Sequence, residues 1–468
     1  MSKKKSKNKK ANRKKPQPIA EPVVQSSQAY RKDVLLSQCM IVKDEEKNIE
    51  KALAWAKDIA FEQIVVDTGS TDRTVELAKK MGATVFHFDW INDFGAAKNF
   101  AMDKAKGNWI AILDADEYMP AEDALETMNI LENIQSDPTT LKQYDGIRNS
   151  WVQLDDFDNI TTIKTVIRIF RNSPELRYKG KIHETVLIQN SKIYEAANLR
   201  IMHTGYAPSA TKETGKRERN INMLRNELKH DPDNPNIMIY LADSIKGDGA
   251  LESRIEAENL YLKALSGKRK ADTPVKQLAY DFLIPRFSGD IRYKNGEPDT
   301  DLALKFCNEA IAELPGHIDY NYYRAIINNK IGNFKEAQDD LQVCEKAFLS
   351  ETSLPNTRLL YPSPMPLYFQ HKIAAKGLGD EEGFKRSSTI LNSMLVESKN
   401  DSGIIGSFMK SLLVYGMPEE EALAELSEVY DLSDPKELLF IARAAKDTGA
   451  IEFARVIMST AQELMSGR

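Results

Sequence analysis

From residue 34 onward, short apolar runs alternate with amphipathic stretches. VLLSQCMIV (34–42), QIVVD (63–67), TVFHF (84–88) and WIAIL (109–113) are too short for buried helices and read as strands. Between them, EEKNIEKALAWAKDI (45–59), DRTVELAKKMG (72–82) and FGAAKNFAMDKAKG (94–107) carry helical spacing. Strand and helix in alternation predict βαβ units and a mainly parallel sheet. Right-handed crossovers then place helices on both faces. Four further runs, YDGIRNSWVQL, IKTVIRIFR, KIHETVLI and LRIMHTGY, fall between 144 and 206 and predict mixed or antiparallel strands extending the same sheet.

After about residue 210 the pattern becomes helical. Ala257 and Ala264 lie seven apart, as do Ala303 and Ala310, and Ala454 and Ala461; Ala337 and Cys344 repeat the spacing. Seven residues make two helical turns, so each pair shares one face and lets a neighbouring helix approach. The step from Ala303 to Ala337 is 34 residues, the tetratricopeptide period. GNFKEA (332–337) and GAIEFA (449–454) match each other at the turn between helices, and Pro315 closes one unit. A degenerate repeat solenoid over 211–468 is expected, interrupted by the proline-rich stretch 351–365; an unrelated helical bundle is the alternative. The expected domains are thus a tail (1–32), an α/β domain (33–210) and an all-α repeat domain (211–468).

Ligands of parallel sheets bind at the carboxyl ends of the strands. The polar clusters of this sequence fall there: Lys43-Asp44-Glu45-Glu46, Asp67-Thr68-Gly69-Ser70-Thr71-Asp72, Asp89 with Asn92 and Asp93, and Asp114 with Asp116. Composition narrows the partners. Net charge is −5, but residues 3–15 hold nine Lys/Arg and no acid, so the rest carries −5 minus nine, or −14. Nucleic acid is therefore not expected on the folded part. The tail, followed by PQPIAEPVVQSSQ, reads as a disordered arm, either solubilising or touching RNA or anionic lipid. It lacks the apolar segment of a signal peptide, and no stretch is long and apolar enough to span a bilayer. Cys39, Cys307 and Cys344 have no metal-ligand spacing, which points to a reduced, cytoplasmic setting.

Asp114-Ala115-Asp116 leaves the fourth apolar run directly. Two carboxylates at the exit of a buried strand need a metal ion, a basic residue or water to pair with. Strand alternation would point both to one side, where they can hold Mg²⁺ or Mn²⁺ together with substrate phosphates. No G-x-G-x-x-G follows the first run and no G-x-x-x-x-G-K-[ST] occurs, which argues against the usual dinucleotide fold and excludes a P-loop. A phosphatase of the haloacid-dehalogenase type would carry its Asp pair after the first strand, not the fourth.

Four blocks in order, MIVKDEEKNIEKAL, IVVDTGSTDRTVELAKKMGATV, WINDFGAAKNFAMDKAKG and NWIAILDADE, resemble the family 2 glycosyltransferases of GT-A fold. The resemblance is close over 36–120 and looser over 121–206. It extends to bacterial members with tetratricopeptide-like repeats, among them enzymes that glycosylate a cysteine of bacteriocin peptides, through Gly180-Lys181-Ile182-His183-Glu184 and His203-Thr204-Gly205-Tyr206. It implies an inverting, metal-dependent (Mn²⁺ or Mg²⁺) transfer from a UDP-sugar. Asp67 would bind the uracil, bordered by Asp44, Glu45 and Ser70. Asp93 would belong to the same donor site. Lys98, where the family usually has Arg, would face uracil or diphosphate. Asp114 would lie near ribose and metal. Asp116 and His203 would ligate the metal, and Glu184, supported by His183, would be the general base.

Bland readings stand beside these. Asp67, Asp44 and Glu45 also suit helix capping, His203 a strand histidine, Glu184 a surface carboxylate, and Trp90 and Phe94 either core or sugar platform. The repeats suggest a polypeptide acceptor or a homodimer. A polysaccharide or lipid-linked acceptor, and a non-catalytic scaffold, are the alternatives.

Overall fold

The computed structural model describes residues 34–136, 143–156, 158, 160–204, 215–289, 296–349, 360, 363–414, 419–447 and 450–466. The basic tail and Gly205-Tyr206 lie outside them, as does most of the proline-rich stretch. The chain forms two compact units that divide between Thr214 and Gly215.

The first unit is built on an eight-stranded sheet of order β3-β2-β1-β4-β7-β6-β10-β5. Its strands are β1 (Leu36–Val42), β2 (Glu62–Asp67), β3 (Thr84–His87), β4 (Trp109–Ile112), β5 (Glu117–Tyr118), β6 (Gly146–Leu154), β7 (Ile160–Arg171) and β10 (Ile193–His203). β3, β2, β1 and β4 run parallel. β7 joins β4 antiparallel and pairs with β6, which runs parallel to β10. This is the mixed sheet of a GT-A-like domain. Alternation along the strands sorts the core into two faces. Met40, Val42 and Val65 pack with Ile49 and Leu53 of α1 (Ile49–Ala54) and Leu77 of α2 (Thr74–Lys80). Cys39, Ile64, Ile110 and Ile112 pack with Ala101 and Met102 of α3 (Phe94–Lys104).

Two elements differ from the sequence pattern. The first helix spans only Ile49–Ala54, because Asp44 takes a left-handed backbone (φ 54) and the Glu45 carboxylate accepts from the Asn48 side chain (2.7 Å), so 45–48 form a turn. The KIHETVLI run does not join the main sheet. Only Thr185–Val186 of it is strand (β9), and this pairs with β8 (Tyr178–Lys179) in a separate two-stranded ribbon across a turn with positive φ at Gly180 (93) and His183 (54).

The second unit is all helical among the described residues. Helices Pro235–Ile245 and Leu251–Ser266, Ile318–Lys330 and Phe334–Phe348, Met365–Leu378 and Glu381–Glu397, and Pro435–Asp447 and Ile451–Ser466 pack as hairpins. The first helix of the second hairpin, Ile318–Lys330, also meets that of the third, Met365–Leu378, and Pro235–Ile245 meets Thr273–Ser288, as repeat arrays do. All four seven-residue pairs of small residues are buried, each on one helix.

Candidate active site

The carboxyl ends of β1, β2 and β4 bring three loops together. The first two are laced to each other. Asp44 accepts from the Thr71 amide (2.7 Å) while its own amide donates to Ser70 Oγ (2.9 Å). The Glu45 amide donates to Thr74 Oγ1 (2.7 Å). Asp67 is buried; its carboxylate accepts from the Ser70 and Gly69 amides (3.0 and 3.2 Å) and lies 3.5 Å from His87 Nδ1. Asp93 caps α3, accepting from the Ala96 amide at 2.7 Å. Every one of these groups is thus held by the backbone or side chains of the rim. Three of the four non-glycine residues with positive φ among the described residues lie beside candidate groups: Asp44 after β1, Asn92 just before Asp93, and His183 just before Glu184. Strain of this kind gathers where side chains must be aimed.

The deepest feature is a cluster around Lys98, whose side chain is 4% exposed. It projects from α3, with Nζ 3.0 Å from Asp114 Oδ1 and 2.7 Å from Glu184 Oε1. Asp114 Oδ2 accepts from Arg168 Nη2 at 2.9 Å. Burial opposes the charge on Lys98, but Asp114 and Glu184 outweigh it and hold the ammonium above the usual lysine range. Partial burial likewise opposes ionisation of Asp114, and the Lys98 and Arg168 charges hold its carboxyl well below the usual range. The pairing need of the Asp114–Asp116 exit is therefore met for Asp114 by two basic residues.

Asp116 has a different partner. Residues 113–116 leave the strand in a turn closed by the Glu117 amide on the Asp114 carbonyl (2.9 Å), so strand alternation does not orient the pair. Asp116 Oδ2 lies 3.6 Å from His203 Nε2. His203 Nδ1 is 2.7 Å from Gln153 Oε1. With the proton on Nδ1, where the Gln153 oxygen would accept it, the Nε2 lone pair is turned toward Asp116. Two electron-pair donors facing each other fit a cation, and the hydrogen-bonded outer nitrogen is what a ligating histidine needs. Asp114, Asp116, Glu117 and Glu184 thus share the cluster with two basic side chains, Lys98 and Arg168.

Glu184 reaches this cluster because the ribbon that carries it docks on α3. The Phe94 amide donates to the Lys181 carbonyl (2.8 Å), and a Cβ on Gly95 would stand 2.3 Å from the Gly180 oxygen, so only glycine permits the approach. His183 is exposed, in the left-handed turn just before Glu184. Trp90 and Phe94 pack edge to face, centroids 4.8 Å apart.

Residues 37–183 match the family described as glycosyl transferase family 2. These residues form a family 2 glycosyltransferase domain. The chain is 31% identical over 269 residues to a TPR repeat-containing protein of Synechococcus elongatus, covering 55% of this chain and 63% of that protein, less than two thirds of its length. It is 26% identical over 326 residues to the SPbeta prophage-derived glycosyltransferase SunS of Bacillus subtilis, covering 66% and 71%. Among solved structures, S. aureus TarS in complex with UDP-GlcNAc superposes with a TM-score of 0.33 at 12% identity, covering 67% of this chain and 91% of that one.

The family 2 domain contains contributors that the sequence reading did not single out. Arg168, Glu117, Trp151, Gln153 and Tyr178 surround Asp114 and His203. A signal existed for two of them: an arginine inside the apolar run IKTVIRIFR, and a third acid directly after Asp-Ala-Asp.

Proposed function

We propose that this chain is an inverting glycosyltransferase that moves a sugar from a UDP-sugar to a protein or peptide side chain. The observation that carries the reading is Lys98: within a family 2 domain, one buried ammonium joins an acid of the Asp-x-Asp turn to the Glu184 carboxylate. Donor-side and acceptor-side groups are thereby gathered at one rim of the sheet.

In this reading Asp67, with Asp44, Glu45, Ser70 and Asp93, borders the nucleoside. Asp116 and His203 would hold Mn²⁺ or Mg²⁺. Such a cation neutralises charge on the departing diphosphate when bound. Lys98 and Arg168 fix the Asp114 carboxylate. Glu184, held by Lys98 and by the turn at His183, accepts the proton of the acceptor nucleophile. Attack from the face opposite the leaving group inverts the anomeric carbon. The helical unit offers an extended repeat surface, which suits a polypeptide acceptor or a second copy of the chain.

Calorimetric titration of UDP, GDP and CDP, with and without Mn²⁺, tests the donor site. UDP should bind in the presence of metal, and Asp116→Ala should abolish the metal-dependent part with the circular dichroism spectrum unchanged. A folded protein that binds none of the three nucleotides would remove the catalytic reading and favour a scaffold.

A further inference from the structure

Glu117 follows the Asp-x-Asp turn and is almost wholly buried, at 1% exposure. A carboxylate placed there needs a reason. One of its oxygens, Oε2, accepts from the Asp114 amide at 3.0 Å. The other, Oε1, accepts from Arg168 Nη2 (2.6 Å) and from Trp151 Nε1 (2.9 Å). The same Arg168 nitrogen reaches Asp114 Oδ2 at 2.9 Å. One carboxylate thus holds the backbone of Asp114 directly and its side chain through the arginine.

The reach extends to the other half of the site. β5 pairs antiparallel with β10, and the residue opposite Glu117 is His203. The indole of Trp151, hydrogen-bonded to Glu117, packs on the His203 ring with centroids 4.8 Å apart. Asp116 lies between Asp114 and Glu117 in sequence, and its carbonyl accepts from the Thr204 amide at 3.1 Å. Fixing Glu117 therefore fixes Asp116 against His203.

Arg168 is aimed by a local irregularity. Ile147 pairs with Ile169 and Arg148 with Ile167, so Arg168 is the extra residue of a β-bulge. Bulges re-aim side chains beside sites at the expense of ladder pairing. The Arg168 Nε is buried and finds no partner among the described residues. Stability alone would not retain such an arrangement, because well-packed apolar residues often replace a buried ion pair without loss.

We propose that Glu117, with Arg168 and Trp151, is a positioning clamp that sets Asp114, Asp116 and His203 in register for a divalent cation and the diphosphate it accompanies. The inference rests on the glycosyltransferase reading above. Glu117 itself touches neither cation nor sugar in this scheme.

The test follows UDP binding by calorimetry as Mn²⁺ is titrated, for wild type, Glu117→Gln and Trp151→Phe, with thermal melting alongside. Outer residues that orient metal ligands change metal affinity by roughly 10–100-fold when replaced. Glu117→Gln should raise the half-saturating Mn²⁺ concentration by about that factor. Trp151→Phe keeps the ring and removes one donor, and should raise it less, by several-fold. Wild type showing no metal-dependent UDP binding would overturn the glycosyltransferase reading and this inference with it. Wild type binding normally, with both variants at the wild-type Mn²⁺ midpoint, would overturn the clamp alone, even if their melting temperatures fall. Should Glu117→Gln fail to fold, the Trp151→Phe midpoint decides.

Discussion

Lys98 is the residue on which the two halves of the candidate site converge, and its chemistry explains why an ammonium suffices there. A guanidinium makes a planar fork suited to one carboxylate or phosphate, whereas Nζ is a compact charge that serves two carboxylates on different elements. Asp114 and Glu184 are both within 3.0 Å of it. Lys98→Met leaves them without their shared cation, at an expected cost on the order of 2–3 kcal/mol, below the roughly 3–5 of a fully buried pair because Asp114 stays partly solvated. The pH dependence follows from the directions of the shifts. Asp114 is held below its ordinary value, so its contribution is present above the unfolded carboxylate value of about 3.9 and is lost as pH falls through the depressed one. Lys98 is raised, so its contribution is complete below about 10.4 and is lost only in stronger alkali. Urea midpoints measured from pH 7 down to pH 3 should therefore drop steeply below about pH 4 in wild type and less steeply in Lys98→Met. Parallel curves for the two proteins would show that the pair carries no such linkage.

At the level of elements, the docking of the β8–β9 ribbon on α3 decides whether Glu184 reaches Lys98 at all. Gly95 is the contact point, with the Gly180 carbonyl where a methyl would stand. Gly95→Ala should cost about 1–3 kcal/mol by overpacking and push the ribbon outward. Turnover should then fall at least tenfold while UDP affinity falls much less, since of the donor-side groups only Asp93, whose Oδ1 would stand 3.4 Å from the new methyl, is near the contact. Loss of UDP affinity in equal measure would mean that the glycine serves α3 and the donor loops instead of the ribbon. The same element shows the limit of pattern reading. The parallel strands β1, β2 and β4 were legible because near-continuous apolar runs, alternating with helical stretches, record burial on both faces. KIHETVLI also reads as a strand, yet its path is set by positive φ at Gly180 and His183 and by an ion pair to a lysine 86 positions earlier in the chain. Neither leaves a local mark. Asp114 and Asp116 were legible as a pair, and the family resemblance set His203 with Asp116, but Arg168, the partner of Asp114, comes from a strand whose place in the sheet cannot be read from periodicity. In the helical half the small-residue spacing survived because it reports close packing within each hairpin, a local property.

For the molecule as a whole, the division between Thr214 and Gly215 separates two different ways of being stable. The sheet unit depends on strands far apart in sequence, such as β4 with β7, and on the buried cluster at its rim. The helical unit depends on neighbours. Its hairpins meet the next in line, and ion pairs such as Arg286–Glu258, Lys276–Glu313, Arg324–Asp340 and Arg386–Glu345 join helices close in the chain. Cores of this kind are approximately sums of local terms and do not require the rest of the chain to form. Its interior also has its own apolar cluster, including Tyr368, Phe369, Leu391, Phe408, Ile441 and Phe453. Residues 215–468 expressed alone should therefore fold, with helical circular dichroism and a thermal transition of their own, and should bind no UDP. The nucleotide binding of the full chain, measured in parallel, assigns that activity to the sheet unit. A fragment lacking any cooperative transition would show instead that the repeats need the sheet unit to fold, and the repeat surface could then no longer be treated as a separate recognition module.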